Sequence, residues 1–147
     1  MGFYGTPKTH RRSISWNLLR NLHNQFSLPW LCGGDFNELV KFHEKKGGRP
    51  HPYSQMQKFR EVLDECSLLD LGFSGKKFTW FKNYPSGGIW ERLDRALSMA
   101  GWVECFPTTK VQSLVCGQSD HSPIVIFPEG ILVKLQRPWR FEQFWLE

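Results

Sequence analysis

Cysteine is scarce and scattered in this sequence. Cys32, Cys66, Cys105 and Cys116 stand far apart, with no CxxC and no Cys/His pairing at zinc-ligand spacing. That excludes a zinc finger and offers no disulfide framework. Without an export signal, such residues read as buried thiols of a reducing compartment. Long apolar runs are missing too. The longest, Ile-Val-Ile-Phe at 124–127, is strand-sized, well short of the ~18 residues that a membrane-spanning helix requires. A membrane protein is excluded on that reading. The opening residues, MGFYGTPKTH, lack the charged start, apolar middle and small-residue cleavage site of a secretory signal. Gly2 and Thr6 match a myristoylation pattern only in passing, with no basic cluster close behind. The sequence also has no internal repeat and no low-complexity tract. These absences leave an intracellular globular chain, and 147 residues suit one domain, for which about 100–200 is usual.

Acidic residues are in the minority: 19 Lys and Arg face 14 Asp and Glu, a net charge of +5. A basic balance is compatible with a polyanionic partner such as nucleic acid, but alone it points only weakly. Seven Trp and twelve Phe imply either a dense aromatic core or exposed rings that stack on a ligand.

Periodicity supplies the elements. Ile14, Leu18 and Leu22, widened by Leu19 and Phe26, predict a helix over 13–26, with Arg11, Arg12, Arg20 and His23 solvated. Residues 30–32 read as a short buried strand and 33–37 as a turn at its end, with 43–53 a polar loop. Ser54 and Gln57 fit a capping box that opens a helix to Ser67, with Met56, Phe59, Leu63 and Cys66 inward. Strands are predicted over 68–71, 76–81, 89–97, 110–115 and 123–127, with 83–88 a loop. A short helix is predicted over 98–105, with Trp102 and Phe106 inward. Alternating strands and helices place the chain in the α/β or α+β class.

Three places carry candidate chemistry. Asp35 and Asn37 follow a buried strand on a glycine turn, where a rigid strand can aim side chains into a cleft. The same pair equally suits an Asx turn that bonds its own backbone. Asp120-His121 sets a hard oxygen ligand beside a group that titrates near neutrality, although a polar turn before Pro123 is the simpler account of it. Asp94 lies in an otherwise apolar strand and needs a partner. Arg92 and Arg95 are poorly placed for that, since strand neighbours point to opposite faces, so a long-range histidine is the better candidate.

Taken together, Gly34-Asp35-Phe36-Asn37, Phe78-Thr79-Trp80, Glu91-Arg92-Leu93-Asp94-Arg95 and Ser119-Asp120-His121 resemble the endonuclease/exonuclease/phosphatase, or DNase-I-like, superfamily. The finer pattern resembles the endonuclease region of plant non-LTR (LINE-type) retrotransposon polyproteins. It is carried by PWLCGGDFNE, KKGGRP, LLDLGFSGKKFTW, WERLDRAL and RPWRFEQFW. The resemblance covers most of the chain and implies a DNase-I-like α/β sandwich with a mixed sheet and flanking helices. It implies an Mg²⁺-dependent (or Mn²⁺-dependent) phosphodiester hydrolase that nicks DNA as apurinic/apyrimidinic endonucleases do, intracellular and by family nuclear, with no small-molecule cofactor. In the family's roles, Asp35 orients the attacking water and Asn37 holds the phosphate. Asp120 serves the metal or the water, and His121 contacts the scissile phosphate under the guidance of Asp94. Tyr4 falls where the family often carries a phosphate-contacting residue. Asp35 and Asp120 would be the metal ligands. Such an assignment is chemically sensible: phosphodiester hydrolysis needs a deprotonated water and cations that offset charge building on phosphate oxygens.

The chain also departs from that pattern. The family begins with a strand bearing an Asn and another bearing a metal-binding Glu, whereas here the first Glu is Glu38. The expectation is therefore a sandwich lacking its N-terminal strands: 1–128 as a partial domain, and 129–147 as a tail resembling the linker towards reverse transcriptase. Metal affinity and hydrolysis should then be weak or absent. The alternative is a non-catalytic retrotransposon relic that at most binds nucleic acid, through Lys45, Lys46 and Arg49 with Lys76 and Lys77. The plainer account of those lysines is a solvated loop.

Overall fold

A computed structural model of the chain describes residues 1–115, 117 and 119–131. Cys116, Gln118 and the tail from 132 onward, including most of the expected linker-like segment, lie outside the described residues. In chain order the elements are β1 (Gly2–Tyr4), α1 (Arg12–Gln25), β2 (Leu31–Asp35), β3 (Lys45–Lys46), α2 (Tyr53–Glu65), β4 (Leu69–Asp70), β5 (Ser74–Gly75), β6 (Trp80–Tyr84), β7 (Gly87–Glu91), β8 (Asp94–Ser98), α3 (Ala100–Cys105), β9 (Lys110–Ser113) and β10 (Ile124–Phe127). They form a mixed α/β architecture of three sheets, ordered β1-β2-β8-β4, β10-β9-β5 and β3-β7-β6. No described helix is long and apolar enough to cross a membrane.

The first sheet positions everything else. β1 runs parallel to β2, and β8 pairs with β2 antiparallel so that Asp94 stands opposite Asp35 and Leu97 opposite Cys32. One face of this sheet packs on α1 and α2 through Phe3, Cys32, Leu97, Trp16, Leu19, Phe36, Phe59 and Val62. Phe3 stacks on Phe36 and Trp16 on Phe59, with ring centres 4.7 and 6.3 Å apart, so the aromatic surplus goes largely into this core. On the opposite face β10 lies against β2 and β8. A Cβ built on Gly33 would come within 2.6 Å of Ile126. At Gly34 (φ +148°) a side chain would be driven into the Phe3 carbonyl oxygen, so the close parallel pairing of β1 with β2 depends on glycine there.

Several expectations are corrected. The buried face of α1 is Ser15, Trp16 and Leu19, while Ile14 and Leu18 are 62% and 48% exposed. The true stripe is offset by one residue because Trp16 is the large ring that reaches Phe59. Arg12 is drawn into an ion pair with buried Glu38 rather than solvated. The glycine turn at 33–35 is strand, since β2 runs to Asp35. α2 starts at Tyr53 after an N-cap Pro52 with no side-chain cap, so the Ser54/Gln57 box is not used. The segment 89–97 is two strands in different sheets, parted by a bend at Arg92-Leu93. The loop at 83–88 is the tip of a β6–β7 hairpin closed by Pro85-Ser86. Cys32 and Cys66 are buried free thiols, and burial pushes Cys32 up to about 12. Cys105 is a free thiol but exposed.

Candidate active site

Tyr4, Asp35 and Asp94 lie on one rung of the first sheet, Tyr4 beside Asp35 on β1 and Asp94 opposite it on β8. Side chains on a common rung share one face, so the pairing delivers these groups side by side. Tyr4 is 73% exposed at the rim, and Asp35 is buried.

Asp35 is held by the turn that follows it. The Asn37 backbone amide donates to Asp35 Oδ1 at 2.8 Å, and Asn37 Nδ2 donates to Oδ2 at 2.8 Å. The same Nδ2 donates to the Gly5 carbonyl at 2.8 Å. Asn37 adopts φ +53°, a left-handed conformation that asparagine tolerates better than most residues. The Asx turn is thus present, and it serves to fix the carboxylate. Burial pushes the Asp35 carboxyl above its ordinary range, with the Asp94 charge adding to it, against the pull of the Asn37 hydrogen bonds and His121.

His121 arrives from between β9 and β10. Its Nδ1 donates to Asp94 Oδ2 at 3.0 Å, and its Nε2 lies 3.9 Å from Asp35 Oδ2. The long-range histidine expected for Asp94 is therefore His121. Arg92 and Arg95 bond instead to Asp70, and Arg95 to Glu44 as well. An imidazole braced at Nδ1 by a carboxylate has its Nε2 fixed in direction, here towards Asp35. Asp120 behaves differently: it is exposed, its Oδ2 accepts from the Trp80 indole at 3.2 Å, and its carbonyl accepts from the Phe81 amide at 2.9 Å.

The two expected metal ligands each already have partners. Asp35 is engaged by Asn37 and Asp120 by Trp80, and no group of three or more His, Cys, Asp or Glu with metal-holding geometry occurs among the described residues. These side chains alone do not make a cage for Mg²⁺ or Mn²⁺.

Sequence reasoning missed the residues that aim this site. Thr79 Oγ1 accepts from the Leu93 and Asp94 amides at 3.0 and 2.9 Å, and the Thr79 carbonyl accepts from the Ser122 amide at 2.6 Å. One buried threonine so joins the strand bearing Asp94 to the segment bearing His121. Glu38 accepts from Arg12 and bonds to the His51 ring. Burial alone would raise its carboxyl, but the His51 hydrogen bond and the Arg12 charge hold it below the ordinary range. Glu44, inside the segment expected to be a solvated loop, is buried and likewise held low by Arg95 against the effect of burial. Thr79 stands in the Phe78-Thr79-Trp80 motif and Glu38 directly follows Asn37, but nothing in the sequence marks either as a partner, or Glu44 as buried.

No known family profile matches the sequence, and no curated protein does. Among solved structures the chain is similar to the endonuclease domain of TRAS1, a telomere-specific non-LTR retrotransposon, at 18% identity and a TM-score of 0.60. The match covers 92% of this chain and 56% of that one, so the chain spans little more than half of the domain it resembles. The likeness shows the fold, a DNase-I-like mixed α/β fold.

Proposed function

We propose that the site hydrolyses a phosphodiester of DNA, as a nicking endonuclease of the non-LTR retrotransposon kind. The observation that carries this reading is the Asp94–His121–Asp35 arrangement, an imidazole braced at 3.0 Å by one carboxylate and facing a second at 3.9 Å. In that chemistry Asp35 takes a proton from the attacking water as the water oxygen bonds to phosphorus, while Asn37 holds the carboxylate in place. The P–O bond to one deoxyribose oxygen breaks, and that oxygen takes a proton from solvent. His121 donates from Nε2 to a phosphate oxygen, and Asp94 stabilises the charged ring. Tyr4, on the same rung, adds a hydroxyl for the phosphate. A divalent cation is the cofactor such chemistry calls for. Because the described carboxylates do not form its ligand shell, no step here passes through one, and Asp120 remains only a candidate ligand. The finer reading, an endonuclease of the plant LINE type, rests on the motif resemblance. So does the nuclear location.

Supercoiled plasmid nicking in the presence of Mg²⁺ tests the reading, with the parent chain compared with His121→Ala. Loss of the imidazole should lower the rate by about 10²-fold or more. Equal rates in the two proteins would sink it. A second reading, nucleic-acid binding without cleavage, draws on the β6–β7 hairpin. There Phe81 stacks on Trp90, Lys46 lies 5.2 Å from the Trp90 ring centre and Lys82 lies 5.6 Å from that of Tyr84, a combination that suits bases and phosphates.

A further inference from the structure

Arg95 is the largest of the fully buried side chains among the described residues, and the chemistry above gives it no direct part. Its guanidinium meets five oxygens. Nη1 donates to Glu44 Oε1 at 3.3 Å and to Asp70 Oδ2 at 2.9 Å. Nη2 donates to Glu44 Oε2 at 3.0 Å, to the Arg92 carbonyl at 3.0 Å and to the Glu38 carbonyl at 3.4 Å. The two carbonyls are the informative partners. Glu38 directly follows Asn37 in the turn that fixes Asp35, and Arg92 lies in the bend between β7 and β8 that aims Asp94. Glu44 extends the connection, since its Oε2 also accepts from the Val40 and Lys41 amides at 2.7 and 3.2 Å. The backbone after Asn37 is thereby tied to one guanidinium from two directions.

Placing a guanidinium where no water reaches is unfavourable, the more so here because the Arg95 Nε finds no hydrogen-bond partner, and an apolar side chain would fill the same space without that cost. What an apolar side chain could not do is span two loops. Arg95 and Asp94 are strand neighbours and point to opposite faces. The bonds on one side of β8 therefore set the direction of the carboxylate on the other. Opposite Arg95 on β2 is Gly34, which leaves that side of the ladder free of a competing side chain.

We propose that Arg95 is a positioning residue for the Asp35/Asp94/His121 site, bridging the turn that holds Asp35 to the bend that aims Asp94. The inference rests on the hydrolase reading for its activity readout, while its structural readout needs no substrate. Arg95→Lys tests it, because an ammonium keeps the charge but lacks the planar fork that reaches both carbonyls and both carboxylates. Glu44→Gln is the companion variant, which loosens the guanidinium without shortening it. Each is followed by thermal melt, by ¹⁵N resonances of the His121 ring (assigned by their loss in His121→Asn), and by kcat and KM for nicking.

The expected result is a cooperative melt and ¹⁵N shifts of the His121 ring displaced from the parental values, because Nδ1 no longer meets Asp94 Oδ2 as it does at 3.0 Å in the parent. With it, kcat should fall by about 10²-fold at unchanged KM. A variant that folds and keeps the parental ring shifts overturns the proposal, whatever its nicking rate. If neither variant folds, Arg95 belongs to the core rather than to the site, and the proposal fails equally. A parent chain that does not nick would overturn the hydrolase reading alone, since the ring shifts are read without DNA.

Discussion

Thr79 has no charge and no acid–base role, yet at the scale of single residues the alignment of the site depends on it. Its hydroxyl accepts from the Leu93 and Asp94 amides, and it is 2% exposed. Replacement by valine keeps the shape and leaves two amides without their acceptor where water cannot substitute. Such loss costs about 2 kcal/mol, and Thr79→Val should unfold at correspondingly lower urea with an unchanged slope. It should also nick more slowly than the parent, because Asp94 loses the bonds that fix its backbone. Thr79→Ser retains the oxygen and should recover most of both losses. A valine variant as stable and as active as the parent would show that the hydroxyl is incidental. Asp35 illustrates the complementary case. Burial and the Asp94 charge raise its carboxyl while Asn37 and His121 lower it. It is held between these effects, as a proton acceptor needs to be.

At the scale of elements, α1 separates what periodicity can and cannot tell. The helix and Leu19 on its apolar face are legible from the recurrence of Ile14, Leu18 and Leu22, but the burial of Trp16 and the exposure of Ile14 and Leu18 are not. Leu19 and Trp16 are the residues inside, at 0% and 9% exposure, and Ile14 and Leu18 stand outside. Apolar residues at four-residue spacing mark a stripe, but which of two adjacent stripes is buried depends on a ring reaching a distant partner, here Phe59. Leu19→Ala should therefore lower stability by about 3 kcal/mol, whereas Ile14→Glu with Leu18→Lys should leave it within about 0.5 kcal/mol. Urea melts of both proteins decide the matter, and the opposite ranking would restore the stripe that the sequence suggests. The segment 89–97 was misread for a related reason. Its composition is strand-like throughout, and the break at Arg92-Leu93 is held by bonds the composition does not show, from the Arg95 guanidinium three residues on and from Thr79 fourteen residues before. By contrast, Asp35, Asn37, Asp94 and His121 are named as a set only through the family resemblance that their short motifs carry, each reading alone as a turn or an unpaired acid, and the fold brings Asp35, Asp94 and His121 together. Arg12, Glu38 and Glu44 were not legible, since a buried ion pair looks like a solvated charge until its partner is located.

At the scale of the whole molecule, the site stands where the three sheets meet. Asp35 and Asp94 come from the first, His121 from the connection between β9 and β10 in the second, and Trp80, bridged to His121, from the third. The third sheet places its hairpin directly beside the candidate catalytic groups, and the net charge of +5 has to act there if it serves a polyanion. The lysines are not equivalent in this respect. The ammonium of Lys45 is bound to Glu91 on β7, while Lys46 lies over Trp90 and is exposed, as are Lys76, Lys77 and Lys82. A phosphate contact requires a cation free to displace a counterion, which removes Lys45 from the set suggested by sequence and leaves Lys46, Arg49, Lys76 and Lys77. If about three such contacts form, log K falls with log salt at a slope of about −2.7, so affinity for duplex DNA should drop about 40-fold between about 50 and 200 mM salt. Lys46→Gln should make that slope shallower by about 0.9, and Lys45→Gln should leave it unchanged. Fluorescence anisotropy across a salt series measures all three. A flat parental profile would mean that the basic balance of the chain has nothing to do with nucleic acid. A Lys45 effect equal to that of Lys46 would mean that the Glu91 pair opens on binding.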